Sequence, residues 1–288
     1  MARSLPLWFK GLTPELKKLA EDTLGETQEV RDTSILELRR LVEDLPDVRT
    51  RTDDVFLLRF LRTKKHDVRK SLRLLLNYHA FRDSQRGRLV GRTPSDVRHV
   101  VQDMDVVFYA PRRTHRGSHV AVYRAGSFDI NRATAEDLVS VVLMVGEMIL
   151  DCEATQVCGG IIVLDMGGMS MKHYTQFCTT RFASFVVSVV QDCLPERLKA
   201  VHIVNEPFLL HAIYKVIGPL LKKKLKERVH FHGHDLSSLH ESVSRELLPV
   251  ELGGDLGPQD NAEFRNHFFA QDSYIESINK YGLEGKKK

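Results

Sequence analysis

The sequence predicts an α/β fold: a helical bundle over residues 1–85, a domain over 90–257 built on a mixed, largely parallel sheet, and a C-terminal helix with a basic tail over 258–288. Three observations predict it. Capped amphipathic segments with short connections fill the first 85 residues, with no strand signal among them. From Thr93 onward, short apolar runs alternate with helical patterns of ten or more residues, the mark of α/β units. Two of those later helices are apolar around most of their circumference, so something must cover them on more than one side.

In order along the chain, Thr13-Pro14-Glu15 is a helix start that runs to Gly25. A second helix spans about Thr27 to Leu45 and turns Ile35, Leu36, Leu38, Leu41 and Val42 inward. Asp53 or Asp54 caps a third, which carries Phe56, Leu57, Leu58, Phe60 and Leu61, and Asp67 caps a fourth. After a short helix at Thr93-Pro94-Ser95-Asp96, the strands are Val106–Tyr109 and His119–Tyr123, around the turn-rich PRRTHRGS. Thr134 opens a long apolar helix, Gly160–Asp165 is a buried strand, and Phe182–Val190 is a second helix apolar on nearly every side. Ala200–Val204 and Val229–His232 are further strands. Helices near Asp235–Leu247 and Ala262–Tyr281 close the chain, with a turn at Gly253-Gly254 and a disordered tail from Gly285.

Between the last two strands, NEPFLLHAIYKVIGPLLKKKLKERVHFHG reads as a helix capped by Asn205, with Pro207 in its first turn and a kink or interruption at Gly218-Pro219. Leu209, Ile213, Val216, Ile217 and Leu220 make its apolar stripe. From Arg197 to Arg228 there are eight Lys or Arg against two Glu, whereas the whole chain carries only +4. These residues alone fit either a surface helix with a solvated Lys face or a hinged apolar flap beside an anion-binding patch.

The bulk numbers exclude several classes. With 42% hydrophobic and 28% charged residues the chain has the composition of an ordinary soluble protein. The apolar runs Leu138–Val145 and Phe182–Val190 fall far short of the roughly 18–20 residues a membrane span needs. Lys10 interrupts the start before a signal-like stretch develops. Cys152, Cys158, Cys178 and Cys193 form no CxxC pair, and their apolar surroundings suit buried free thiols in a reducing compartment. No GxSxG, Walker, HExxH or GxGxxG motif is present. Asp165 before Gly167-Gly168 can be a catalytic carboxylate or plain turn chemistry. His230, His232 and His234 alternate as three imidazoles on one strand face can, for a metal or for polar packing. The Lys cluster lacks the interleaved aromatics of a nucleic-acid surface.

Four ordered segments carry a resemblance: DDVFLLRFLRTKKHDVRKSLRLLLNYHAFR, IIVLDMGG, LKAVHIVNEPFLLHAIYKVIGPLLKKKLKERVHFHG and LLPVELGGDLG. Together they resemble the CRAL-TRIO family of lipid-binding proteins, and within it the branch of tocopherol and retinaldehyde carriers. The likeness covers Thr27 to Tyr281. It implies a sheet flooring an apolar pocket under a mobile lid helix that begins at Pro207. It places Leu210, Ile213, Val216 and Ile217 on the lid. It places Val139, Leu143, Gly146, Gly160, Ile162, Leu164, Val186, Val189, Val190 and Val201 on the pocket wall. A basic groove beside the lid, which binds phosphatidylinositol bisphosphate in that branch, falls on Lys64, Arg197, Lys199, Lys224 and Arg228, every one of them basic here. Lys224 and Arg228 then share one helix face. Gly146 stands where that branch has a serine, and Gly160 replaces a branched side chain, so the cavity is enlarged or reshaped. The implied protein is no enzyme. It is a monomeric cytoplasmic carrier of a tocopherol-, retinoid- or carotenoid-like lipid that meets membranes transiently. It uses no cofactor and no metal and binds no nucleic acid. A phosphoinositide-dependent interaction module that transfers no cargo is the alternative.

Overall fold

The computed structural model describes residues 5–283. Side-chain oxygens of Thr13, Thr27, Asp53 and Asp67 accept backbone N–H groups and open helices α1 (Pro14–Leu24), α2 (Gln28–Glu43), α3 (Asp54–Thr63) and α4 (Val68–Ser84). Leu38, Phe56, Phe60, Leu75 and Tyr78 knit α2, α3 and α4 together. Leu36 departs from the expected inward stripe: it is 63% exposed, because neither α3 nor α4 packs on its side of α2. The stretch between α2 and α3 also holds a strand that no pattern announced, β1 (Val48–Arg49).

Thr93 and Asp96 cap each other at the turn before α5 (Arg98–Asp103). Then follow β2 (Val107–Tyr109), β3 (His119–Arg124), α6 (Ala135–Leu150), α7 (Glu153–Cys158), β4 (Gly160–Asp165), α8 (Met171–Phe177), α9 (Thr180–Asp192) and β5 (Leu198–Val204). Helix α1 leaves the bundle and lies on α7 through Leu16, Ala20 and Leu24. The stretch expected to kink or be interrupted at Gly218-Pro219 is interrupted there. It becomes α10 (Phe208–Ile217), a 3₁₀ turn at Gly218–Leu220, and the single-turn α11 (Lys223–Lys226). Pro219 lacks the N–H that would carry a helix through. Strand β6 (Val229–Phe231) is followed by α12 (Ser237–Ser242) and a 3₁₀ turn at Arg245–Leu247, where one helix was expected. The C-terminal helix is likewise two, α13 (Ala262–Phe269) and α14 (Asp272–Asn279), before β7 (Gly282–Leu283) pairs antiparallel with β1. The expected tail from Gly285 lies outside the described residues.

The main sheet runs β2-β3-β4-β5-β6, antiparallel at the β2–β3 hairpin and parallel elsewhere. Val120, Val122, Val163 and Val204 face Leu239, Val243, Leu248 and Leu252 on one side. On the other, Tyr109 and Ala121 pack under Val141 and Val145 of α6, and Val201 and Ile203 under α8, α9 and α10.

The bundle is tied to this domain by buried charge. Arg59 and Arg62 are fully buried on α3, which is enclosed from Phe56 to Arg62. Arg59 donates to Glu147 Oε2 at 2.7 Å, Asp151 Oδ1 at 2.5 Å and the Tyr274 hydroxyl at 3.1 Å. Arg62 grips Glu26 with two bonds of 2.7 and 2.6 Å and donates to Gln156 at 2.8 Å and Glu153 at 3.0 Å. Burial opposes charge on Glu26, but the bonds from Arg62 and His66 prevail and bring its pKa down to about 2.

A candidate apolar ligand site with a basic margin

Strand β4 lies at the centre of the sheet, where both faces should be sealed. Val163, turned toward α12, is completely buried. Ile162 and Leu164, turned the other way, are only part-buried, as are Val139, Leu143 and Gly146 of α6 and Val190 of α9. The layer of helices over this face therefore does not cover these side chains completely. Over β5 and β6 it closes: Leu164, Val201, Leu210, Ile213 and Ile217 meet in one cluster with Ile203, Met166, Met169, Val187 and Phe231. Tyr214 of α10 stands edge-on to Phe231 at 5.0 Å. Ile203 and Phe231 were legible by strand alternation from Val201 and Val229, whereas Met166 and Met169 sit on a loop that no periodicity marks.

The other side of α10 is open: Phe208 is 86% exposed, Val216 62% and Leu209 46%. Val216 thus points away from the cluster, and so does Val186, 39% exposed on α9. Complete burial of α9 was expected and is not found; Val189 is its one buried side chain among the described residues. Leu143 also borders a cleft with Leu89, Val90 and Ile275 at the seam with the bundle, away from α10.

Of the two glycines expected to enlarge the cavity, Gly146 has open space where a Cβ would project. Gly160 does not. A Cβ there would stand 2.2 Å from the His119 ring and 2.9 Å from Glu196 Oε1, so those side chains already fill the volume. Gly160 is a seat for polar groups, and the expectation of added cavity there is corrected.

Three of the five basic residues come together where β5 and β6 begin. Gly159, with φ of +71° and the Arg197 carbonyl 1.9 Å from where its Cβ would be, lets β4 enter hard against Arg197. Arg197 donates to the Arg62 carbonyl at 3.1 Å and Arg228 to the Leu198 carbonyl at 2.5 Å. Burial, then the neighbouring Arg228, holds the Arg197 pKa below its ordinary value, and burial with Arg197 does the same to Lys199. Lys64, the C-cap of α3, is lowered by burial and by Lys222. Among the described residues none of these four makes an ion pair with an acid. Lys224 is exposed on α11. The expected shared helix face with Arg228 is not formed, because α11 stops at Lys226 and Arg228 lies beyond its C-cap Glu227. Positive charge crowded together without acids favours an anion.

A family profile decides what this architecture is: the CRAL/TRIO domain matches residues 103–254. The chain belongs to the CRAL-TRIO family. Among its relatives, the alpha-tocopherol transfer protein-like protein of Homo sapiens is 34% identical over 275 residues, covering 95% of this chain and 80% of that one. Clavesin-2 of Homo sapiens is 32% identical over 284 residues, covering 96% and 86%. The crystal structure of Sfh5 shares the fold with a TM-score of 0.50 at 13% identity, covering 93% of this chain and all of that one.

In this CRAL-TRIO chain the other candidate chemistries resolve into packing. Asp165 Oδ1 accepts from the Gly167 N–H at 2.9 Å and from Asn205 Nδ2 at 2.8 Å, fixing the turn after β4. Asn205 is not the cap of α10, a place taken by Pro207; it sits at φ of +54°, where asparagine is tolerated. His230, His232 and His234 do not share one face. His232 bridges His202 Nδ1 at 2.9 Å and Ser238 at 2.7 Å, His230 stacks on His202, and His234 reaches Asn205. Among the described residues no group of His, Cys, Asp or Glu is placed to hold a metal, and no helix is long and apolar enough to cross a membrane. The four cysteines are free, and all but Cys193 are buried.

Proposed function

We propose that this chain carries one apolar lipid of the tocopherol, retinoid or carotenoid kind between β4 and the helices above it, and exchanges it at membranes containing phosphoinositides. One observation carries the reading: Ile162 and Leu164 of the central strand stay part-open beneath the helices, beside a helix whose own outer side is apolar. Burying roughly 400–500 Å² of ligand surface at about 25 cal/mol/Å² amounts to about 10–12 kcal/mol before ordering costs, enough to draw a lipid from a bilayer without covalent chemistry. Helix α10 acts as the lid, anchored by Ile213 and Ile217, and presents Phe208, Leu209 and Val216 to the bilayer. Arg197, Lys199 and Arg228, with Lys64 and Lys224 at their margins, take the bisphosphorylated headgroup, and Lys222, Lys223 and Lys226 add general attraction of about 1 kcal/mol each. Headgroup binding beside the lid then favours opening, a coupling between two sites. The protein works as a cytoplasmic monomer that visits membranes and catalyses no reaction.

Vesicles with and without phosphatidylinositol bisphosphate test this. Wild type should bind the former more tightly, in a salt-sensitive way, and release a fluorescent lipid faster to them. The double variant Lys224→Ala, Arg228→Ala should lose most of both effects. Unchanged binding and release in that variant would remove the groove from the account.

A further inference from the structure

At the far end of the open sheet face lies a polar cluster that neither fold nor anion binding requires. His119, Ala121 and Tyr123 alternate on β3 with the sealed Val120 and Val122, and pair in register with Gly160, Ile162 and Leu164. They therefore share the face proposed for cargo. His119 is 2% exposed, and its Nδ1 has no hydrogen-bond partner. Its Nε2 lies 3.5 Å from Glu196 Oε1, the nearest acid. That contact is not an ion pair. Burial and the charge of Arg113 push the imidazole down to about 3, so it is neutral near pH 7, and burial pushes Glu196 up to about 7, so its carboxyl is protonated about half the time there. Glu196 keeps 19% of its side-chain surface open and makes no hydrogen bond among the described residues. Beside it, the Tyr109 and Tyr123 hydroxyls meet at 3.1 Å. Two hydroxyls that share one bond use one hydrogen, and the other hydrogen is left over.

Buried polar groups without partners are costly and rare, at about 1–3 kcal/mol each. One such atom, His119 Nδ1, lies here, and the part-open carboxyl of Glu196 and the Tyr109 ring, 5.9 Å from the imidazole, stand beside it. The spot lies next to Gly160, where the absent side chain gives them their seat. Arg197 and Lys199, the next basic residues along the chain, belong to the basic cluster instead.

We infer that the cargo is an amphiphile with a hydroxyl at its inner end, which donates to Glu196 and accepts from the Tyr109–Tyr123 pair or His119. This deepens the carrier reading and rests on it. It narrows the cargo to lipid alcohols and phenols over hydrocarbons, esters and ethers of the same skeleton. An ether oxygen accepts a bond but cannot donate one, and so leaves the accepting oxygen of Glu196 without its donor.

The full-length protein can be incubated with phosphatidylcholine vesicles that hold equal amounts of α-tocopherol, retinol and cholesterol, each beside its own O-methyl ether. The re-isolated protein is then analysed for bound lipid by mass spectrometry. For the captured skeleton, the alcohol should exceed its ether by about tenfold. The variant Glu196→Leu with Tyr123→Phe should bring that ratio to within about twofold while ether capture persists. Tyr123→Phe alone, which keeps the ring, should lower the ratio part-way and serves if the double variant misfolds. Alcohol and ether captured equally by wild type would overturn the hydroxyl assignment and leave the carrier standing. A ratio unchanged in the variants would overturn these residues as its source. No capture of any member by folded wild type would overturn the carrier reading itself.

Discussion

Arg59 is a residue whose role the pattern of its neighbours conceals. Spacing within DDVFLLRFLRT marks an amphipathic helix and suggests that its two arginines point to water. Both are fully buried, because α3 is enclosed on every side and the acids that receive them, Glu147, Asp151, Glu26 and Glu153, come from elsewhere in the chain. A signal was present nonetheless. Glu147 interrupts the apolar AEDLVSVVLMVGEMIL, and a lone acid within a helix that must be buried calls for a buried base. Removing Arg59 strands Glu147 and Asp151 without one of their partners. Arg59→Ala should therefore destabilise the protein by about 3–5 kcal/mol, read from the midpoint of guanidinium unfolding. A loss below about 1 kcal/mol would mean that Arg82 and Arg51 already suffice for those carboxylates. Gly160 teaches a related lesson. Its place on the strand is plain from the sequence, but its neighbours are not, so a missing side chain read as empty space holds an imidazole instead.

Among the elements, the strands and the longer helices were legible because period-2 and period-3.6 patterns are local. Caps at Thr13, Thr27, Asp67 and Thr134 were equally plain. What failed were the ends and breaks. Strands β1 and β7 are two residues each and exist only because distant segments meet. The break between α10 and α11 was marked by Gly218-Pro219, though not whether it would be a kink or an interruption. In the proposed function the break matters, since it separates α10 from α11 and leaves α10 with two buried side chains, Ile213 and Ile217. A helix with so few buried anchors should open more readily than the strands beneath it. Backbone amides of Leu210–Ile217 should exchange with deuterium at least about tenfold faster than those of Val120–Val122 and slow when lipid is bound. Equal protection of the two segments without lipid would deny α10 the role of a lid.

For the whole molecule, the division into a helical half and an α/β half could be read from composition and periodicity, but the way the halves join could not. That seam is made of Arg59, Arg62 and Arg82 with their acids, whose pairing spans sequence distances no local pattern reports. Of the residues expected in the apolar pocket, Leu164, Val201, Leu210, Ile213 and Ile217 meet in one cluster, while Val186 and Val216 face outward. A part-open face on a central strand, a loosely anchored lid and an uncompensated basic margin belong to one account, a protein completed by a lipid. The most direct measurement is the mass of the intact protein under non-denaturing conditions after exposure to vesicles of mixed natural lipids. The account predicts a species heavier by one lipid per chain, which reverts to the bare mass on solvent extraction. A protein that remains at its bare mass while still binding phosphoinositide vesicles would contradict it, and would mark the chain as a membrane-recruited interaction module.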